Sequence, residues 1–81
     1  MRVVREITHP EFKITIFSWN NRYLIKLEQG FLEQTFKVSE FDLSGEEELL
    51  SLLDAEFLHQ ASLRFQDMGQ SLYEARVRSG Q

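Results

Sequence analysis

Cysteine, proline and glycine are scarce in this chain of 81 residues, which contains none, one and four of them respectively. Without cysteine the chain has no disulfide, no thiolate metal ligand and no cysteine nucleophile. The glycines stand singly, so no glycine-rich loop is present to hold a phosphate. His9 and His59 are the only histidines, and neither has a third ligand at the spacing of a metal site. We therefore expect neither a metal site nor a cofactor.

Long hydrophobic runs are absent as well. No apolar stretch is longer than three residues, whereas a helix that spans a membrane needs about 20 apolar residues. The first residues, Met1 to Glu6, include three charged side chains, where a secretory signal has a continuous apolar run of about 7–15 residues. These observations favour a cytoplasmic protein without a membrane partner.

The composition is that of one small globular domain. Hydrophobic residues make up 42% of the chain and charged residues 27%, which are ordinary values for a folded protein. This length fits a single domain over residues 1–81. Because so small a domain buries only a thin core, contact with a partner would add to its stability.

The strands are predicted within residues 2–39. The segment before Asn20 alternates apolar with polar residues, as a half-buried strand does. Asn20 and Asn21 tolerate the left-handed backbone that a two-residue type I′ turn requires at both central positions. Such a turn places Phe17 opposite Leu24 and leaves one face of the hairpin apolar.

A second two-residue turn is predicted at Gln29-Gly30. It places Glu33 opposite Lys26, a cross-strand pair of opposite charge. Residues 2–8 are also strand-like, but their alternation is too short to show which face each residue takes.

The second half of the chain is predicted to be helical, with helices at about 45–53 and 55–78. Ser44, followed three residues later by Glu47, is typical of a capping box at a helix N-terminus. No proline follows, but the apolar stripe shifts near Asp54, and a break there gives the second helix its N-cap.

These elements predict an α+β fold: an antiparallel β-meander of three to four strands followed by two C-terminal helices packed on one face of the sheet. The sequence leaves open whether the helices are separate or form one bent helix. Since the helices would cover the drier face, the other face of the sheet would remain open.

The open face of the predicted sheet carries several large apolar residues among charged ones. A contiguous apolar patch of a few hundred Å² usually marks an interaction surface. Three explanations are open: the face packs on a second copy, the N-terminal segment covers it, or it stacks against nucleic-acid bases. Nucleic acid is the least favoured, because acidic side chains on the same face neutralise its lysines. The candidate interaction residues are Phe17, Trp19, Arg22, Leu24 and Phe31.

Acidic side chains are concentrated between residues 38 and 63, which hold seven acids and no base although the net charge of the chain is only −4. One interpretation is helix capping and solubility. The other is the docking of a basic partner. The acidic patch consists of Glu40, Asp42, Glu46, Glu47, Glu48, Asp54 and Glu56.

The run KITIFSWNNRYLIK from Lys13 to Lys26, followed by EQTFK from Glu33 to Lys37, resembles a family of short bacterial proteins known only as uncharacterised. The resemblance covers most of the chain. It implies a bacterial cytosolic source, but it transfers no function and no catalytic residue.

No serine stands beside a recognisable base, and no carboxylates have the spacing of a calcium loop, so no enzymatic assignment follows. We expect a non-catalytic interaction module that homodimerises through the exposed aromatic sheet face. The alternative is an accessory or ligand-binding protein that docks a basic partner through its acidic segment, residues 40–56. Single-stranded nucleic-acid binding on the sheet face is the third hypothesis. The sequence identifies neither a ligand nor a partner.

Overall fold

A computed structural model of the chain describes residues 1–80 and contains an antiparallel sheet followed by helices. The strands are β1 (Arg2–Thr8), β2 (Lys13–Trp19), β3 (Arg22–Gln29) and β4 (Leu32–Ser39). A short 3-10 helix at Glu40–Asp42 leads to the helices α1 (Glu46–Ser51) and α2 (Ala55–Arg78). The strand order β1-β2-β3-β4 makes the sheet a meander of four strands, which confirms the predicted sheet.

The hairpin of β2 and β3 has the predicted register. Asn20 and Asn21 have φ angles of 54° and 63°, the pair of positive values that a type I′ turn requires. Phe17 lies opposite Leu24, and the other predicted pairs of this hairpin also form. The turn therefore assigns every side chain of these two strands to a face.

The register of β3 and β4 differs from the prediction. The turn is formed by Gly30 and Phe31, one position later than expected. Gly30 has a φ of 58° and takes the first central position, as in a type II′ turn. Glu33 therefore lies opposite Glu28, although its carboxylate still reaches Lys26 Nζ diagonally at 3.5 Å. Each β3 residue pairs two positions further along β4, so every strand side chain keeps its predicted face.

β1 lies at one edge of the sheet, beside β2. The two strands pair antiparallel, with a shift of register between Val3 and Arg5 that marks a β-bulge. Because β1 extends the sheet in its own plane, it does not cover the open face. The structure thus removes the N-terminal segment from the three explanations for that face.

The core lies between the sheet and the helices. Phe65 of α2 reaches across the sheet to Phe12, which precedes β2, with 5.5 Å between the ring centroids. Phe57, in the first turn of α2, packs on Phe36 of β4 with 5.1 Å between the ring centroids. The C-terminal helix therefore covers the drier face, as predicted. The largest fully buried side chains are Phe65, Ile14, Ile16, Ile25, Leu27 and Leu49.

The prediction of two helices is confirmed in part. α2 has the predicted bounds, and Asp54 caps it by accepting a hydrogen bond from the Phe57 N–H at 2.8 Å. α1 has only six residues, and its N-cap is Gly45 rather than Ser44. Leu49 of α1 is fully buried, so this short helix joins the core chiefly through one side chain.

One polar side chain interrupts the face that the sequence predicts to be apolar. Gln34 of β4 is buried, and its amide donates a hydrogen bond to the Ala61 carbonyl of α2 at 2.9 Å. The amide oxygen accepts a hydrogen bond from Arg64 Nε, also at 2.9 Å. Both ends of the amide thus have the partners that a buried polar group needs. Gln34 therefore ties β4 to α2 at one level of the helix.

Substitution of Gly69 tests whether close packing of α2 on β4 requires a glycine in the helix. Glycine inside a helix costs about 0.5–1 kcal/mol relative to alanine, and a Cβ at Gly69 would stand at an ordinary contact distance of 3.7 Å from Leu32 Cδ1. We expect Gly69→Ala to raise the free energy of unfolding by about 0.5–1 kcal/mol in urea denaturation.

Gly30→Ala is the matched control, because the positive φ of Gly30 disfavours alanine, and it should lower stability. A loss of stability in Gly69→Ala would show that the helix requires glycine to approach β4.

Candidate functional site

The open face of the sheet is the one turned away from α1 and α2. Antiparallel partners share a face, so its side chains form rows that cross the strands. One row contains Val3, Phe17 and Leu24, each from a different strand. Trp19 stands two residues further along β2 on the same face, opposite Arg22. We call Val3, Phe17, Trp19 and Leu24 the apolar corner.

The apolar corner is open to solvent. Trp19 keeps 47% of its surface exposed and Val3 keeps 51%, whereas Phe17 and Leu24 are half-buried by their neighbours. The candidate residues Phe17, Trp19, Arg22 and Leu24 are therefore brought together as predicted from the first hairpin. The sequence did not identify Val3 as a member of this surface, because the bulge in β1 determines on which face of the sheet its side chain lies.

The other half of the open face is charged and paired within itself. Lys26 Nζ lies 3.5 Å from the Glu33 carboxylate and 4.0 Å from that of Glu28. Lys13 Nζ lies 3.9 Å from the carboxylate of Glu6 on β1. Exposed pairs of this kind contribute about 0–1 kcal/mol each. Their main consequence is a nearly neutral surface beside the apolar corner.

Phe31 does not join the apolar corner. It lies in the turn at the far end of β3, and 99% of its surface is exposed. It lies seven positions after Leu24 along the chain, which corresponds to about 23 Å at 3.3 Å per strand residue. The sequence-based placement of Phe31 on the open face was wrong, because the predicted turn came one position too early and made Phe31 a strand residue.

Phe31 instead lies beside the C-terminal end of α2. This helix has 24 residues and is about 36 Å long at 1.5 Å per residue, whereas a strand of eight residues spans about 26 Å. The last turns of α2 therefore extend past the sheet, where Tyr73 is 65% exposed. A groove of about 370 Å³ results, lined by Phe31, Leu32, Gly69, Leu72, Tyr73, Arg76 and Val77.

The two histidines line one shallow pocket between the loop after β1 and the start of α2. His9 Nδ1 accepts a hydrogen bond from the Glu11 N–H at 3.1 Å, and its ring stacks on Phe12 at 4.2 Å. The Glu11 carboxylate accepts a hydrogen bond from Ser62 Oγ at 2.5 Å. These contacts tie the loop to α2. Within the part of the chain that the structure describes, no group of three or more His, Cys, Asp or Glu side chains could hold a metal ion.

The acidic patch is spread over the start of each helical segment, where carboxylates favour the helix dipole. Several of its members already have contacts within the fold. Asp54 caps α2, and the Glu46 carboxylate lies 3.5 Å from Arg5 of β1. The patch is divided among the 3-10 helix (Glu40, Asp42), α1 (Glu46, Glu47, Glu48) and the start of α2 (Asp54, Glu56).

Glu48 makes the most specific contact of the acidic patch. Its carboxylate accepts hydrogen bonds from the Ser44 hydroxyl at 2.6 Å and from the Ser44 N–H at 3.0 Å. The predicted pairing of Ser44 with Glu47 was therefore wrong by one residue, because the helix begins after Gly45. Both hydrogen bonds favour the ionised form and lower the pKa of Glu48 below its ordinary value of 4.5, and the Ser44 hydroxyl contributes more than the Ser44 N–H.

Comparison of the chain with protein-family models, with curated proteins and with solved structures found no match. The resemblance to short bacterial proteins therefore stays a prediction. Among residues 1–80 no helix is both long and apolar enough to cross a membrane.

The lowered pKa of Glu48 predicts a pH-dependent contribution to stability. Since the folded state favours the ionised carboxylate, the contribution is present above pH 4.5 and is lost as the pH falls through the lowered pKa. We expect Glu48→Gln to be less stable than the natural chain at pH 7, with the difference shrinking toward pH 3. Urea denaturation across this range measures it.

Glu47→Gln is the control, because the Glu47 side chain makes no hydrogen bond or ion pair within residues 1–80. An equal pH dependence for both variants would contradict the role of the Ser44 contacts.

The exposure of Phe31 predicts that it contributes nothing to the core. We expect Phe31→Ser to change the free energy of unfolding by no more than about 0.5 kcal/mol, whereas Phe65→Ala should cost about 3–5 kcal/mol because it empties a buried site. Thermal and urea denaturation of the two variants provide the comparison. A cost above about 1 kcal/mol for Phe31→Ser would place Phe31 in the folded core.

Proposed function

We propose that the protein is a small cytoplasmic, non-catalytic interaction module that forms a homodimer by packing its open sheet face on a second copy. The apolar corner carries the proposal. Its four side chains come from three strands and form one contiguous surface, and neither the helices nor β1 covers it. Aromatic residues, tryptophan above all, are enriched at the centre of interfaces.

The size of the open face supports an interface with a similar face. Four strands spaced about 4.8 Å apart and seven residues long make a surface of about 19 by 23 Å. Because its side chains project from the sheet, the accessible area of such a face is larger than this flat area and approaches the roughly 600 Å² per partner that a small stable interface buries. Because the apolar corner alone is smaller than this, the dimer would bury the charged half as well.

The charge of the open face favours a second copy over nucleic acid. Its four bases are nearly balanced by three acids, so two copies meet without strong repulsion. A single-strand binder needs an excess of positive charge along its groove. The bases are Lys13, Arg22, Lys26 and Lys37, and the acids are Glu6, Glu28 and Glu33.

A basic partner docked on the acidic patch is the second candidate. Glu40, Asp42 and Glu47 are exposed, and their side chains make no hydrogen bond or ion pair within residues 1–80. Their charge is therefore free to attract a basic surface. The patch supports this candidate less strongly, because its other members include a helix cap and an ion pair. Association that weakens steeply with added salt would favour it.

Substitution of Trp19 tests the proposed dimer. We expect Trp19→Glu to remain folded by circular dichroism and to form assemblies of half the mass of the natural protein, because a carboxylate in an apolar interface loses its hydration. Light scattering behind a sizing column measures the mass against the 9.6 kDa of one chain.

Phe31→Glu is the matched control, since it places the same charge on an exposed aromatic position outside the apolar corner. Its mass should equal that of the natural protein. A natural protein that stays monomeric at several hundred micromolar, or a Trp19→Glu variant of unchanged mass, would overturn the proposed dimer.

Trp19 is the only tryptophan, so its fluorescence reports directly on the open face. Burial between two copies should blue-shift its emission, and dilution should return the emission to longer wavelength as the copies separate. An emission maximum that does not depend on concentration, together with a constant mass, would contradict burial of Trp19 between copies.

A further inference from the structure

The outer edge of β4 lacks several of the features that protect natural edge strands. Such edges are commonly short, bulged, interrupted by proline or lined with charged side chains, and β4 has the charges of Glu33 and Lys37 but none of the first three. β4 has eight residues, Leu32–Ser39, contains no proline and pairs with β3 without any shift of register. β1 at the opposite edge carries a bulge. Of the two edges, β4 is therefore the one suited to pair with another strand.

The outward backbone groups of β4 belong to alternate residues. Gln29 and Leu32 flank a two-residue turn, where the flanking residues form a hydrogen-bonded pair, so Leu32 and every second residue after it face β3. The N–H and C=O groups of Glu33, Thr35 and Lys37 therefore point away from the sheet. Within residues 1–80 no hydrogen bond beyond the ladder reaches them, and their side chains are exposed.

We propose that β4 pairs antiparallel with β4 of a second copy, around a two-fold axis at Thr35. This pairing joins two four-stranded sheets into one continuous sheet of eight strands. Outward residues then lie opposite outward residues, so each contributes to hydrogen-bonded pairs across the axis. The occupant of the free edge is a second copy of this chain.

The order of side chains along β4 specifies this register. With Thr35 opposite the partner's Thr35, Glu33 lies opposite the partner's Lys37, and the symmetry repeats that ion pair. Threonine pairs and opposite-charge pairs both stabilise antiparallel strands. A slide of two residues in either direction sets Thr35 opposite the partner's Glu33 or the partner's Lys37 and removes both ion pairs.

The core side of β4 is consistent with the same register. Leu32 would lie opposite the partner's Val38, an apolar pair. Arg64, the base of α2 closest to β4, is directed back over its own subunit: its guanidinium lies 5.7 Å from the ring centroid of Phe36, and its Nε bonds to Gln34. Its charge is therefore held by contacts within one copy.

Edge pairing is independent of the proposed face-to-face dimer. The two-fold axis is perpendicular to the sheet, so both copies present their open faces on the same side, and both apolar corners remain free. Use of both contacts would assemble four chains with dihedral symmetry where the two axes intersect. Each contact can be disrupted by its own substitutions without changing the other.

The experiment uses charge exchange at positions 33 and 37 in the Trp19→Glu background, where the face contact is removed. We expect Trp19→Glu to have the mass of two chains. Adding Lys37→Glu should give one chain, because Glu33 then meets a carboxylate across the axis. Adding Glu33→Lys to that variant should restore two chains. Light scattering reads the mass, and circular dichroism checks that each variant is folded.

Thr35→Pro is a second variant that does not depend on charge. The Thr35 N–H faces outward, so proline removes no hydrogen bond to β3, and proline is tolerated on edge strands in this orientation. In the Trp19→Glu background it should also give one chain.

The results separate the two proposals. A folded monomer for Trp19→Glu alone overturns edge pairing but leaves the face-to-face dimer in place if the natural protein has the mass of two chains. Failure of Glu33→Lys to restore the mass lost in Lys37→Glu overturns the register. An unchanged mass on introducing Trp19→Glu, with loss of association in Lys37→Glu, supports edge pairing and overturns the face contact.

Discussion

A sheet of four strands is wider than the single long helix that packs on it, and this mismatch governs the rest of the structure. Four strands cover about 19 Å, whereas a helix with its side chains is about 10 Å across. α2 covers β4 with Phe57 and reaches Phe12, just before β2, with Phe65. Leu49 of α1 fills part of the remaining core face. No element among residues 1–80 is left to cover the opposite face.

Two surfaces of the monomer are uncovered: the apolar corner and the outer edge of β4. Neither apolar area nor unpaired backbone groups left in water add to the stability of a lone monomer. The apolar corner supplies hydrophobic area, and the β4 edge supplies unpaired backbone groups. A small domain buries a smaller fraction of its surface than a large one, so association is an effective route to more burial. The charges fit the same interpretation, since the open face is nearly neutral and β4 has an acid and a base at equal distances from Thr35.

The residue pattern of the strands predicted most of the sheet, and its failure at the second turn has a physical cause. Two asparagines in succession allow only one placement of a type I′ turn. That placement determined the register of β2 and β3. A single glycine serves either as the second residue of a type I′ turn or as the first of a type II′ turn. Gly30 adopts the second option, which moved Phe31 from the strand into the turn. The predicted face of each strand residue was nevertheless correct, because a register shift of two residues preserves the alternation of side chains between the two faces of the sheet.

The sequence by itself determined the features that depend on neighbouring residues: the face of each strand residue from Lys13 onward, the Asp54 cap, and the absence of cysteine chemistry. Only the tertiary structure decided that β1 lies in the plane of the sheet, that Gln34 is buried against α2, and that Phe31 lies beside the end of that helix. Periodicity and caps arise from contacts a few residues apart, which the local pattern records. Which element covers which surface depends on contacts between distant segments and on their relative lengths, and no short window of sequence contains that information.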